Sequence, residues 1–324
     1  MSKTIKILII GAGQIGSRHL QGVLKSSHKM SITLVDPSLD SLKLCEIRAN
    51  ETAYGHPDST IVYRQERPKH RSFEICIIST NANVRAKVTR DLLIDCQIKY
   101  IIFEKILFQR ELDFEIISKL IKEKNITAWV NCARRTNSAY QEINKNLNTN
   151  NAIQMFVSGT SWGMACNSIH FIDLFSYFAS SSDLRTTKTD FSKNIIKGKR
   201  GEGTYELNGL IEFKIGDHSL KISCEESENF SLKIKIKNKN VEYSIDEPEG
   251  VWQSNINGLT KIKYQNMPLL SEQTKDNIDS LINKNQCELV LYEESCKQHF
   301  LLLSAIRTHL SKILKVQLIE CPIT

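Results

Sequence analysis

The sequence predicts a two-domain α/β protein. Three features carry this: strands that alternate with helices up to residue 130, a strand-rich stretch afterwards, and a length of 324 residues. The expected division is 1–130, a doubly wound parallel sheet, and 131–324, an α+β domain with an open-faced, mostly antiparallel sheet. Residues 5–10 are apolar throughout and read as a buried strand. A glycine turn and a helix over 15–24 follow, then a strand at 31–35 that stops at Asp36-Pro37. Helical spacing resumes over 38–49. A strand at 74–79, a helix at 84–93, a strand at 100–103, a helix at 112–123 and a strand at 127–130 complete the alternation. Such a series predicts a parallel sheet covered on both faces.

Beyond residue 131 the pattern changes. Helices are expected at 138–147 and 167–178, with a strand at 153–158 between them. Strands follow at 207–213, 219–224, 232–236, 241–245 and 260–264, and helices over 269–283 and 291–314 close the chain. Lys233-Ile234-Lys235-Ile236-Lys237 alternates at the strand period, which suits a solvated sheet face or a protected edge. Lys193, Lys197, Lys199 and Arg200 flank Gly198, Gly201 and Gly203 and read as a basic loop, either solvated or in contact with an anion.

Composition narrows the function classes. Hydrophobic residues at 41% suffice for two cores without disulfides. The nine cysteines form no Cys-x-x-Cys pair, so a disulfide framework, a zinc ribbon or another metal site is not expected, and a cytoplasmic location is. The apolar run at 7–10 is too short for a signal-peptide core, and no stretch approaches the length of a membrane span. A net charge of +7 without interleaved aromatics argues against nucleic acid as a partner.

The turn itself carries chemistry. Gly11-Ala12-Gly13-Gln14-Ile15-Gly16 is a G-x-G-x-x-G placed after a strand and at the start of a helix. Gly11 permits the tight turn, Gly13 lets the backbone approach a pyrophosphate, and Gly16 lets helix and strand pack closely. With Gln14 and Ile15, these residues offer the N–H groups of a helix N-terminus to phosphates. Asp36 ends the second strand about twenty residues later, where a carboxylate accepts from ribose hydroxyls and repels a 2′-phosphate. NAD is therefore expected over NADP in this Rossmann domain. Ser79, Thr80 and Asn81 follow another strand and are expected at the same cofactor.

Together, Gly11 to Leu20 (GAGQIGSRHL), Val35-Asp36, Phe103-Glu104-Lys105 and Ile169-His170-Phe171-Ile172-Asp173 resemble the Gfo/Idh/MocA oxidoreductases in order and spacing. The resemblance covers most of the chain and is best over residues 5–178. It implies an NAD-dependent enzyme that oxidises or reduces an alcohol or ketone carbon of a sugar-like molecule. A nucleotide sugar used for surface polysaccharide is one such substrate, and a homodimer or homotetramer is the implied assembly. Glu104-Lys105 resembles the family's Glu-Lys-Pro motif at the cofactor, with Ile106 replacing the proline. Lys105 is then expected to stabilise charge on the substrate oxygen. His170 resembles the catalytic histidine that moves the hydroxyl proton. Arg135 matches an arginine that often faces the substrate, with an interdomain salt bridge as the alternative. Trp162, Asn167 and Asp173 are further substrate candidates. Trp162 suits stacking or core packing, Asn167 a substrate contact or a helix cap, and Asp173 an orienting role or the helix surface. Many members carry an aspartate four residues before the histidine, and here that position is Cys166. The alternative to an enzyme is a catalytically silent dinucleotide- or sugar-binding regulator on the same fold.

Overall fold

The computed structural model describes residues 3–198 and 203–324. The chain divides into two compact units, residues 1–131 with 268–293 and residues 132–267 with 294–324. In chain order, unit 1 begins with β1 (Ile5–Ile10), α1 (Gln14–Leu24), β2 (Met30–Val35), α2 (Leu39–Asn50) and β3 (Thr60–Arg64). It continues with β4 (Arg71–Ile78), α3 (Ala82–Asp95), β5 (Cys96–Phe103), α4 (Glu111–Glu123) and β6 (Thr127–Val130). Unit 2 holds a 3-10 turn (Ala133–Thr136), α5 (Ser138–Asn146), β7 (Ile153–Thr160), α6 (Met164–Ala179), β8 (Arg185–Lys197), β9 (Tyr205–Ile215) and β10 (His218–Cys224). Then come β11 (Ser231–Asn238), β12 (Val241–Asp246), β13 (Val251–Ile256) and β14 (Leu259–Tyr264). The chain returns to unit 1 through α7 (Leu270–Lys284) and β15 (Val290–Leu291), and α8 (Tyr292–Leu314) carries it back to unit 2.

The unit 1 sheet has the order β15-β6-β5-β4-β1-β2-β3. All its pairings are parallel except β15 on β6. β1 lies inside the sheet between β4 and β2, and Ile7, Leu8 and Ile9 are all fully buried because helices cover both sides. The return of residues 268–293 to this unit corrects the expected second domain of 131–324. Gly22 of α1 shows why α7 docks here, since a Cβ on it would lie 2.4 Å from the Ser271 carbonyl oxygen. The helical spacing of residues 270–284 shows an apolar face without showing what covers it.

The unit 2 sheet has the order β14-β13-β12-β11-β7-β10-β9-β8 and is antiparallel apart from the β7–β10 pair. β11 lies inside it with alternate residues buried, so its lysines form a sheet face and not an edge. Lys193 and Lys197, expected in a loop, lie on β8, while Lys199, Arg200 and Gly201 fall outside the described residues. Four strands went unread: β3, β8, β13 and the two-residue β15. β3 and β8 are edge strands with few buried positions; the exposed middle position of β3 is Val62, which masks its alternation in the sequence, and a bulge near Phe191 interrupts β8. Among the described residues no helix is long and apolar enough to cross a membrane.

Candidate active site

In unit 1 the glycine turn is built as its spacing requires. Gly11 has φ +98°, and a Cβ there would meet the Ser79 carbonyl carbon at 2.8 Å. A Cβ on Gly16 would fall 1.7 Å from the Gly11 carbonyl oxygen. Gly13 differs from both: a Cβ on it meets nothing within 4 Å, so its glycine answers no internal contact. Gly13 caps α1 without a side-chain hydrogen bond, and no acidic residue stands in the first turn. The N–H groups at Gln14 and Ile15 therefore begin a helix whose positive end is not neutralised by an acidic side chain in that turn.

Asp36 lies beside this turn. One carboxylate oxygen accepts from Ala12 N–H at 2.7 Å and the other from Ser38 N–H at 2.8 Å. This fixes the carboxylate and leaves lone pairs for further donors. Ser79 donates its hydroxyl to the carbonyls of Ile10 and Gly11, which makes it a support of the turn. Thr80 differs, because its Oγ1 is buried without a hydrogen-bond partner among the described residues. Asn81 is exposed and caps α3 without a side-chain bond.

Glu104 ends β5 as a buried carboxylate. Its Oε1 receives Asn131 Nδ2 at 2.5 Å and faces His19 Nε2 at 3.0 Å. Burial pushes this carboxyl up, but His19, Asn131 and Arg85 together outweigh that and hold it below the ordinary value. His19 Nδ1 meets the Thr274 hydroxyl at 2.8 Å, which ties α1 to α7. Arg85 is 2% exposed, and its guanidinium donates to the carbonyls of Thr80, Glu104, Ile106 and Leu107. It thereby joins the loop after β4 to the loop after β5. Burial lowers its pKa to about 10, against the opposing pull of Glu104. Lys105 is 8% exposed within the loop that Arg85 holds, and the Lys105–Ile106 peptide is cis. His19, Arg85 and Asn131 had no assigned role in the sequence reading. Only His19 left a trace there, as part of the quoted turn motif.

In unit 2 the candidates gather at the start of α6. The helix begins at Met164 instead of 167, because Glu206 of β9 accepts from the N–H groups of Ala165 at 2.9 Å and Cys166 at 3.3 Å. A cap supplied from a distant strand leaves no local signal. Asn167 is therefore not the cap, and its amide donates to the Trp162 carbonyl at 2.8 Å. Trp162 is buried, with its indole N–H on the Ser223 carbonyl at 3.1 Å and its ring edge-on to Phe171. His170 is half-buried one turn beyond Cys166 and Asn167, with Nδ1 on the inner side. Trp162, Cys166, Asn167 and Glu206 line one cavity.

Two substrate candidates pair with each other. Asp173 is fully buried, and its two oxygens take the Arg135 fork at 2.9 and 2.7 Å. Arg135 also reaches Glu294 at 3.3 Å. Burial raises the Asp173 carboxyl to about 6, with Arg135 opposing. These side chains hold the 3-10 turn onto α6 and positively anchor the helix that carries His170. Neighbouring Arg134 makes the same kind of fork with Glu247, which also accepts from the Tyr140 hydroxyl at 2.6 Å. Among the described residues no His/Cys/Asp/Glu group could hold a metal ion.

No family model matches the sequence, and no curated protein does. Solved structures do match. A Gfo/Idh/MocA family oxidoreductase from Vibrio cholerae is 14% identical, with a TM-score of 0.67, over 96% of this chain and 99% of its own. KijD10, a 3-ketoreductase from Actinomadura kijaniata solved with NADP, is 13% identical with a TM-score of 0.65, over 94% and 97%. A super-repressor mutant of Gal80p from Saccharomyces cerevisiae is 13% identical with a TM-score of 0.70, over 96% and 97%. The chain thus has the fold of the Gfo/Idh/MocA oxidoreductases.

Proposed function

We propose that this protein is an NAD-dependent oxidoreductase acting on an alcohol or ketone carbon of a sugar-like molecule. The observation that carries the reading is Gly13. Nothing inside the protein requires a glycine there, yet it opens an uncapped helix beside the fixed carboxylate of Asp36. A dinucleotide accounts for all three features. Gly11 to Gly16 would hold its pyrophosphate, Asp36 its adenosine ribose, and the buried hydroxyl of Thr80 a further polar group. When bound, a nicotinamide dinucleotide supplies the hydride acceptor or donor.

The chain's own residues supply the rest. Lys105 stabilises negative charge on the substrate oxygen through its ammonium group. The Arg85 bonds and the Glu104–His19–Asn131 cluster hold the Lys105 loop. His170 takes the hydroxyl proton during oxidation and returns it during reduction. Asp173 and Arg135 orient α6 through their ion pair. Asp36 supports NAD over NADP, because its carboxylate would meet a 2′-phosphate as a like charge. KijD10 carries NADP in its solved complex, so cofactor choice is read here from Asp36 and not from the fold.

A second reading rests on Cys166. A thiol at this position offers no carboxylate beside His170, and the likeness to a Gal80p super-repressor supports a regulator that binds the same ligands without turnover. Turnover separates the two. Purified protein incubated with NAD and a panel of sugars and cyclitols should produce NADH with at least one of them. NADH binding without turnover of any alcohol or ketone would favour the regulator.

A further inference from the structure

Unit 2 contains a cavity of about 330 Å³ at the start of α6, walled on its other side by β8 and β9. Its volume lies at the low end for ligand pockets and suits a single six-membered ring. Asn208 of β9 is one of its lining residues. This side chain is 7% exposed, and its amide has no hydrogen-bond partner among the described residues. A primary amide left so nearly buried without a partner is unfavourable unless a ligand or water completes it.

The rest of the wall defines the ligand's charge. The N-terminus of α6 would attract an anion, but Glu206 already places a carboxylate there. An anionic ring entering the cavity would meet that carboxylate. Lys197 is exposed and belongs to the rim. Trp162 gives a rigid apolar wall, fixed through Ser223 and Phe171. An amide and an indole on the wall of one cavity match a saturated ring with hydroxyls at its edge and C–H bonds on its face.

We propose that Asn208 reads a hydroxyl of an uncharged, polyhydroxylated ring bound in this cavity. That the ring is the reacting substrate rests on the oxidoreductase reading, whereas the binding does not. His170 stands one turn along α6 from Cys166 and Asn167 of the wall, so the same helix would present both the ring's support and its proton acceptor.

The test is direct binding. The full chain is labelled with 5-fluorotryptophan, and its three tryptophan signals are followed by 19F NMR, with Trp162 assigned from Trp162→Phe. The probes are methyl glucoside, methyl galactoside and myo-inositol, with glucose 6-phosphate and glucuronate as charged counterparts. The Trp162 signal should shift saturably with at least one neutral probe and less with its charged counterparts. Asn208→Leu should weaken that neutral probe about tenfold, the loss of roughly one hydrogen bond, while the Trp129 signal and NADH binding stay as in wild type. Tighter binding of the charged probes would overturn the inference, and this arm needs no variant. So would unchanged affinity in Asn208→Leu, or no response of Trp162 to any neutral probe. Ring binding without NADH binding would sink the dehydrogenase reading and leave the role of Asn208 standing.

Discussion

Substitution of Gly13 by alanine should separate binding from stability. Gly13 has φ −68° and ψ −162°, a conformation open to alanine, and the new Cβ would touch nothing within 4 Å. The folded state is therefore unstrained, and the unfolded state loses some freedom. Stability should rise by about 0.4–1 kcal/mol, as for other compatible glycine replacements. The methyl group nevertheless occupies the side from which a pyrophosphate approaches the backbone. NADH affinity should fall at least tenfold, about 1.4 kcal/mol. Gly16→Ala is the contrasting control, because its Cβ would lie 1.7 Å from a backbone oxygen. Backbone cannot rotate away as a side chain can, so the loss should exceed the usual ~1–3 kcal/mol of overpacking. Thermal melts and NADH fluorescence titrations of the two variants give both quantities. Wild-type NADH affinity in a well-folded Gly13→Ala would refute the assignment of this turn to a dinucleotide.

Asp36→Ala should reduce the preference for NADH over NADPH, measured by competing titrations; an unchanged ratio would mean the ribose is read elsewhere. His170→Ala should abolish turnover of whichever substrate is found while leaving NADH affinity and melting temperature near wild type, and lost NADH binding would make His170 structural instead. Arg85→Met should cost about 3 kcal/mol or more in urea melts, because several buried carbonyls lose their donor. Arg85→Lys should recover only part of it, since an ammonium cannot fork. Glu104 and Glu247 are both held below their ordinary value of 4.5, so their contribution is complete above that pH. It is lost as the pH falls through their lower folded values, and the urea midpoint should drop below about pH 4.5. Glu104→Gln should flatten that acid limb.

Much of unit 1 was legible because its signals are local. An apolar run, a glycine turn and Asp36 at a strand end all lie within a few dozen residues, and each dictates backbone geometry by itself. β4, β5 and β6 of the parallel sheet follow from the same alternation, whereas its edge strand β3 does not. The pieces that went unread depend on distant partners. α7 belongs with unit 1 because Gly22 admits Ser271 and Thr274, a contact without sequence periodicity. The start of α6 is set by Glu206, about forty residues away in the chain, so Asn167 was given a capping option it does not use. Arg135 and Asp173 were each left with open alternatives, because the sequence cannot show that these two opposite charges meet each other. Arg85, buried on α3, reads in sequence as an ordinary helix-surface arginine. Asn208 likewise reads as an interruption of a strand, and only the cavity gives it meaning.

The dinucleotide claim underlies the rest of the account, and a fluorescence titration of the purified protein with NADH, with NADPH for comparison, tests it most directly. The account predicts saturable binding that favours NADH. Failure to bind either cofactor would contradict it.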